Sequence, residues 1–255
     1  MTLSPESYVV PESPFGWLLL AIAAFGIGIT KSGFSGVSMV HVILFAYVFG
    51  ARESTGIVLP MLIAGDIFAM TVYGKHANWK YVRRMFGPAM IGVVAGWLLM
   101  FRLDEKYYRP LIGTIILGLT VLQIIRIWKE EWLADVPHAR WFAWSMGILV
   151  GLTTMLANAA GPVFGLYLLA IGLPKMEFVG TAAWFFLLLN ISKIPFSWSL
   201  GLIRLDTLAL NAALMPLIGL GLWIGTMVVR RIPQKLFDSL ILIFTGVAAL
   251  RMLFL

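Results

Sequence analysis

An all-α fold that crosses a lipid bilayer many times is what this sequence predicts, and three observations predict it. Of 255 residues, 60% are hydrophobic and only 12% are charged, against roughly 25% charged in an ordinary soluble domain. The mean hydropathy is +0.93. Stretches such as Met85 to Phe101 and Thr207 to Val229 are apolar around nearly their whole circumference, so the solvent for those faces must be lipid rather than water.

The N-terminus, Met1 to Pro14, carries Glu6 and Glu12 and no Lys or Arg. A signal peptide needs a positive start, so none is expected here. Apolar segments follow at about 15 to 29, 36 to 49, 54 to 73, 85 to 101, 111 to 127, 141 to 157, 162 to 172, 179 to 198, 207 to 229 and 239 to 254. The polar stretch Lys129 to Arg140 lies at their midpoint and is too short to separate independent domains. The reading is one membrane domain over 1 to 255, in two halves of about 15 to 128 and 141 to 254.

The halves look related. Gly36 with Gly161, Glu53 with Glu177, Gly56 with Gly180, Asp66 with Asn190 and Gly96 with Gly221 all stand 124 or 125 residues apart. A helix rises about 1.5 Å per residue and the hydrocarbon core is about 30 Å thick. Segment 54 to 73 can span it, whereas 36 to 49 and 162 to 172 reach only roughly 21 Å and 17 Å. Those two are expected to be re-entrant hairpins or broken helices. Irregular backbone at membrane depth is tolerated only against protein or a water-filled cavity, so two matched breaks point to a shared pocket near the midplane.

Basic residues set the orientation. Lys75, Lys80, Arg83, Arg84, Arg126, Lys129, Arg140, Lys175, Arg230, Arg231 and Lys235 sort to one side, with Lys31 counted among them. Arg52, Arg102, Lys106, Arg109, Arg204 and Arg251 sort to the other. The richer side is assigned to the cytoplasm, which leaves both termini outside and makes the repeats inverted.

The first break reads Gly28-Ile29-Thr30-Lys31-Ser32-Gly33-Phe34-Ser35-Gly36 and the second Asn158-Ala159-Ala160-Gly161-Pro162. Ser35 and Asn158 suit N-caps, and Pro162 suits a first turn. Each short helix then starts inside the membrane with free N–H groups and the positive end of its dipole, and two such ends would cradle an oxyanion. Lys31 either takes that anion as its counter-charge or extends its stem to the cytoplasmic surface. Asn190 and Lys193 share a helical face, and read either as a polar stripe facing the site or as glue between helices. Asp66, deep in Pro60 to Ala69, is expected to be protonated, paired to Lys31 or Lys193, or a proton carrier.

Several functions are excluded. Cysteine is absent, which removes disulfides, thiolate metal sites and cysteine nucleophiles. Gly33-Phe34-Ser35-Gly36 resembles the nucleophile motif of intramembrane serine proteases, but His76 and His138 lie in polar loops and His41 is about 120° off the Ser35 face. His41 is read as a hydrogen-bonded interior side chain. No Walker loop, dinucleotide fingerprint or metal spacing occurs, so neither cofactor nor metal is expected. The net charge of +7 is not organised for nucleic acid, and the chain is not read as an enzyme.

The stretch Gly26 to Asp66, with its Gly28 to Gly36 run leading to Glu53, Gly56 and Leu59-Pro60, resembles the TauE/SafE family of sulfite exporters. So does the second half, where Gly147 and Gly151 lead through Asn158 to Pro162, then Gly172-Leu173, Phe178, Gly180-Thr181, Asn190 and Lys193. The resemblance implies a transporter in the bacterial inner membrane, exporting sulfite, a sulfonate or a related organosulfur anion. Physical reading and resemblance together place Lys31, Gly33, Ser35, Gly36, Asn158 and Gly161 around the substrate. Thr181, Asn190 and Lys193 would stand behind them, and Asp66 is a candidate for proton coupling or for a structural pair with one of the lysines. Exposure would alternate by rocking one half against the other. An anion channel on the same pocket, or a carrier of a non-sulfur organic anion, is the alternative. Association into a homodimer is left open.

Overall fold

The computed structural model describes residues 13–34, 37–102, 114, 117–118, 121 and 139–254. Among them the secondary structure is helical throughout, with no strand. Ten α-helices are described: α1 Pro14–Lys31, α2 Ser38–Phe49, α3 Ala51–Ile57, α4 Leu59–Tyr73, α5 Trp79–Arg102, α6 Arg140–Ala157, α7 Ala160–Ala170, α8 Lys175–Ser199, α9 Leu208–Arg231 and α10 Gln234–Phe254. Among the described residues five stretches are long and apolar enough to span: Pro14–Lys31, Arg52–His76, Trp79–Arg102, Lys175–Ser199 and Leu205–Arg231. The segment expected at 111 to 127 and the charged midpoint lie largely outside the described residues.

Local chemistry sets the helix limits. Pro14 opens α1 behind Ser13, whose Oγ accepts from the Gly16 N–H at 3.1 Å, satisfying one of the orphan donors of a first turn. α1 stops at Ser32, and Gly33 follows at φ 123°, a backbone that only glycine adopts without strain. α6 stops at Asn158, which sits at φ 52° in the left-handed region. Asn158 is therefore the C-cap of α6 and not the N-cap of α7. That place falls to Ala159, which has no side chain with which to cap. Thr30 and Thr153 satisfy their hydroxyls within their own helices, donating to the Gly26 and Leu149 carbonyls at 2.8 Å each, so they cost little in lipid.

Glycines fix which helices touch. A Cβ added to Gly151 would lie 1.8 Å from the Ala89 carbonyl oxygen, and one on Gly92 would lie 2.0 Å from that of Ile148. Gly147 meets Met85 and Pro88, while Gly96 meets Met155, so α5 and α6 run parallel with backbones in contact, the small-residue mode of membrane packing. α1 and α9 make a second parallel pair. There a Cβ on Gly28 would lie 2.1 Å from the Ile218 carbonyl oxygen, and one on Gly221 would lie 2.2 Å from that of Phe25.

These pairings define two ends. At one end Asn78 N–H donates to Thr181 Oγ1 at 2.9 Å, Trp184 Nε1 donates to the Gly74 carbonyl at 3.3 Å, and Lys175 Nζ donates to the Val229 carbonyl at 3.0 Å and to that of Ile232. At the other, Trp97 Nε1 donates to Ser199 Oγ at 2.8 Å and Gly56 abuts Leu202. α6 starts beside the first residues of α5, and α7 returns to the same end, where Tyr167 packs on Phe142 and Tyr81. α1 starts at the end where α9 begins, and α2 returns there, with Phe45 beside Leu20 and Leu210. The hairpins α1–α2 and α6–α7 thus open toward opposite ends of the molecule.

Candidate functional site

The two breaks meet. One cavity is lined by Thr30, Lys31 and Gly33 from the first break, by Thr154, Asn158, Ala160 and Gly161 from the second, by Ser38 and His41 of α2, by Leu62 and Asp66 of α4, and by the Phe178–Asn190 face of α8. The cavity volume is about 50 Å³, room for roughly four waters or one compact oxyanion. Sequence reasoning placed a shared pocket between the breaks, and that is where it lies.

Its floor is a chain of polar contacts. Lys31 Nζ donates to Asp66 Oδ1 at 2.5 Å, and Asn190 Nδ2 donates to Asp66 Oδ2 at 2.7 Å. Asp66 is wholly buried and the Lys31 side chain is 9% exposed, so Lys31 does not reach to the surface; it turns inward, 5.4 Å from the Phe186 ring centre. Of the partners expected for Asp66, the structure selects Lys31. Lys193 goes to the second break instead. Its Nζ donates to the Thr154 carbonyl at 2.9 Å, to Thr154 Oγ1 at 3.1 Å and to Asn158 Oδ1 at 2.6 Å. Asn158 Nδ2 in turn donates to the Thr55 carbonyl at 3.0 Å, which ties the second break to α3. The Asn190 amide belongs to Asp66.

Of the expected site residues, Lys31, Gly33, Asp66, Asn158, Gly161 and Asn190 line the cavity. Lys193 stands one contact away through Asn158. Thr181 lies off the lining, where its hydroxyl holds the Asn78 N–H. Ser35 and Gly36 fall outside the described residues. Sequence reasoning missed Ser38, and it assigned His41 a hydrogen-bonded interior role. His41 is 1% exposed and Ser38 3%. Neither imidazole nitrogen, nor Ser38 Oγ, nor Asn190 Oδ1 has a hydrogen-bond partner among the described residues. The spacing of Ser38 and His41, three apart on one helix face, was the available signal.

Buried polar atoms without partners are uncommon and usually find a ligand or water. The cavity gathers several of them beside an ammonium and the N-terminus of α7, whose Ala160 and Gly161 lie on its wall. Such a helix start offers unpaired N–H groups to an anion. No group of three or more His, Cys, Asp or Glu side chains suited to a metal ion occurs among the described residues.

A multi-pass helical membrane protein with a cavity between two opposed helix breaks is an architecture found among secondary transporters. The family model for "Sulfite exporter TauE/SafE" matches residues 20–252, and the chain belongs to that family of membrane transporters of sulfur-related anions. No curated protein and no solved structure matches the chain.

Proposed function

We propose that this protein is a secondary transporter that exports a small sulfur-containing anion, such as sulfite or a sulfonate, across the bacterial inner membrane. The observation that supports it most directly is the cavity in which Lys31, Ser38, His41 and the start of α7 converge from both breaks. In this reading the anion sits against Lys31, Gly33, Asn158 and Gly161, with Asn190 and Lys193 holding those groups in place. Ser35 and Gly36, which the sequence also assigns to the anion, belong to the same proposal. The two halves, about 15 to 128 and 141 to 254, are inverted repeats, which the opposite openings of α1–α2 and α6–α7 support. The end bearing Lys75, Lys80, Arg83, Arg84, Arg140, Lys175, Arg230, Arg231 and Lys235 faces the cytoplasm, and both termini face outward. A gradient supplies the energy, with Asp66 as the group through which protons couple.

Thermal unfolding of the detergent-purified protein with sulfite, sulfate, thiosulfate, acetate and chloride tests the reading. A ligand at a hundred times its Kd stabilises the folded state by about 2.7 kcal/mol. A shift with a sulfur anion that acetate and chloride do not give is expected; no shift with any sulfur anion overturns the proposal. Proton coupling has its own test in liposomes, since Asp66→Asn should abolish the pH dependence of transport, and unchanged dependence removes Asp66 from that role.

A further inference from the structure

Within the proposed site, one atom has the wrong sign for a simple anion. Asn190 is 2% exposed and lines the cavity. Its amide orientation is set by its neighbour, because the group facing Asp66 Oδ2 at 2.7 Å must be the donor when Lys31 already pairs with the other carboxylate oxygen. The Asn190 oxygen is thereby left as a buried acceptor with no partner among the described residues. A fully deprotonated oxyanion offers only acceptors. It would leave this oxygen unpaired and face it with like partial charge, a cost comparable to a lost buried hydrogen bond.

The charges lead to the same point independently. Three acceptors surround Lys193 Nζ, matching the three N–H groups of an ammonium, and none of them is a carboxylate. Lys31 and Asp66 neutralise one another. With both lysines protonated and Asp66 ionised, the buried cluster holds two ammoniums and one carboxylate, and one negative charge completes it; a dianion would overshoot.

We propose that the transported species is a monoanion that carries its own hydrogen-bond donor, directed at Asn190 Oδ1, while Ser38 and His41 on α2 serve its acceptor oxygens. This inference rests on the sulfur-anion reading above. The donor has two sources: an acid proton retained by the oxyanion, as in hydrogensulfite, or a hydroxyl on the organic part of a sulfonate. His41 and Ser38 suit either, since an imidazole and a hydroxyl each both donate and accept.

Two pairs of probes separate these sources on the wild-type protein at one mildly acidic pH. Ethanesulfonate and 2-hydroxyethanesulfonate differ by the hydroxyl, while methanesulfonate and hydrogensulfite are compact monoanions that differ in the acid proton. Sulfate is the dianion control. In ligand titrations read by thermal unfolding, the donor-bearing member of at least one pair should bind roughly tenfold tighter than its mate, and sulfate should bind more weakly than that member. The pair that shows the difference identifies the source. In Asn190→Ala the preference should vanish; if that variant does not fold, the wild-type comparison still decides. Equal affinity within both pairs, or sulfate binding as tightly as the favoured probe, overturns the donor requirement while leaving a sulfur-anion site standing. Absence of binding by all five overturns both.

Discussion

Replacing Asp66 by Asn tests whether the ion pair at the cavity floor is held together by charge. The change keeps the shape of the side chain and an oxygen for Asn190 Nδ2, so the 2.7 Å contact on that side can persist. What it removes is the counter-charge 2.5 Å from Lys31 Nζ, in a place where Asp66 is wholly buried. Breaking one partner of a buried pair costs about 3–5 kcal/mol, and for a chain of this size each kcal/mol moves Tm by roughly 2–4 °C. Asp66→Asn alone should therefore lower the unfolding temperature by about 10 °C, and Lys31→Met alone should do so comparably. Together they leave no charge stranded, and the double variant should recover at least about 2 kcal/mol of the summed loss, a coupling typical of groups in contact. Tryptophan fluorescence during heating in detergent reads all four proteins, since the chain has 10 Trp. An added anion should also stabilise Asp66→Asn more than wild type, because it supplies the charge that Lys31 lacks. Simple additivity of the two single losses would refute the pairing argument.

Two further outcomes are expected. Gly151→Ala should prevent stable packing, because its Cβ would lie 1.8 Å from the Ala89 carbonyl oxygen, whereas Gly87→Ala in the same helix pair meets nothing within 4 Å and should leave Tm unchanged or slightly raised. Yields of folded monodisperse protein after gel filtration compare them. The chain has no cysteine, so single Lys75→Cys and Gly201→Cys variants report sidedness directly. A membrane-impermeant thiol reagent applied to whole cells should label the Gly201 variant and spare the Lys75 variant; the reverse pattern inverts the orientation.

Much of the architecture was legible because bilayer thickness is a fixed ruler. Helices of 12 and 11 residues, α2 and α7, cannot cross it, and their brevity alone betrayed the breaks. The Asp66–Asn190 contact was foreshadowed by the offset of 124 that relates the two positions. Other features depended on partners distant in the chain. Asparagine serves both ends of helices, and nothing local says that Asn158 closes α6; Lys193, thirty-five residues further on, accounts for where its oxygen goes. Lys31 was counted with the loop charges because a lysine near a helix end usually reaches for water. Only the packing of α4 against α1 shows that a carboxylate intercepts it. His41 was read as satisfied because most buried polar groups are, and its bare nitrogens became visible only once α2 lay beside the cavity.

The glycine contacts bear on how exposure could alternate. α1, from the first half of the sequence, is clamped backbone to backbone on α9 of the second, while α6 of the second is clamped on α5 of the first. Each half has lent an arm to the other, as two people linking elbows. Parts joined at van der Waals contact along several turns travel together, so in an alternating carrier each clamp would move as one body, and the two halves of the sequence would not part at the middle of the chain. A cross-link within either clamp should then leave transport intact, whereas one across the cavity from Lys31 on α1 to Thr154 on α6, which joins the two clamps, should block it.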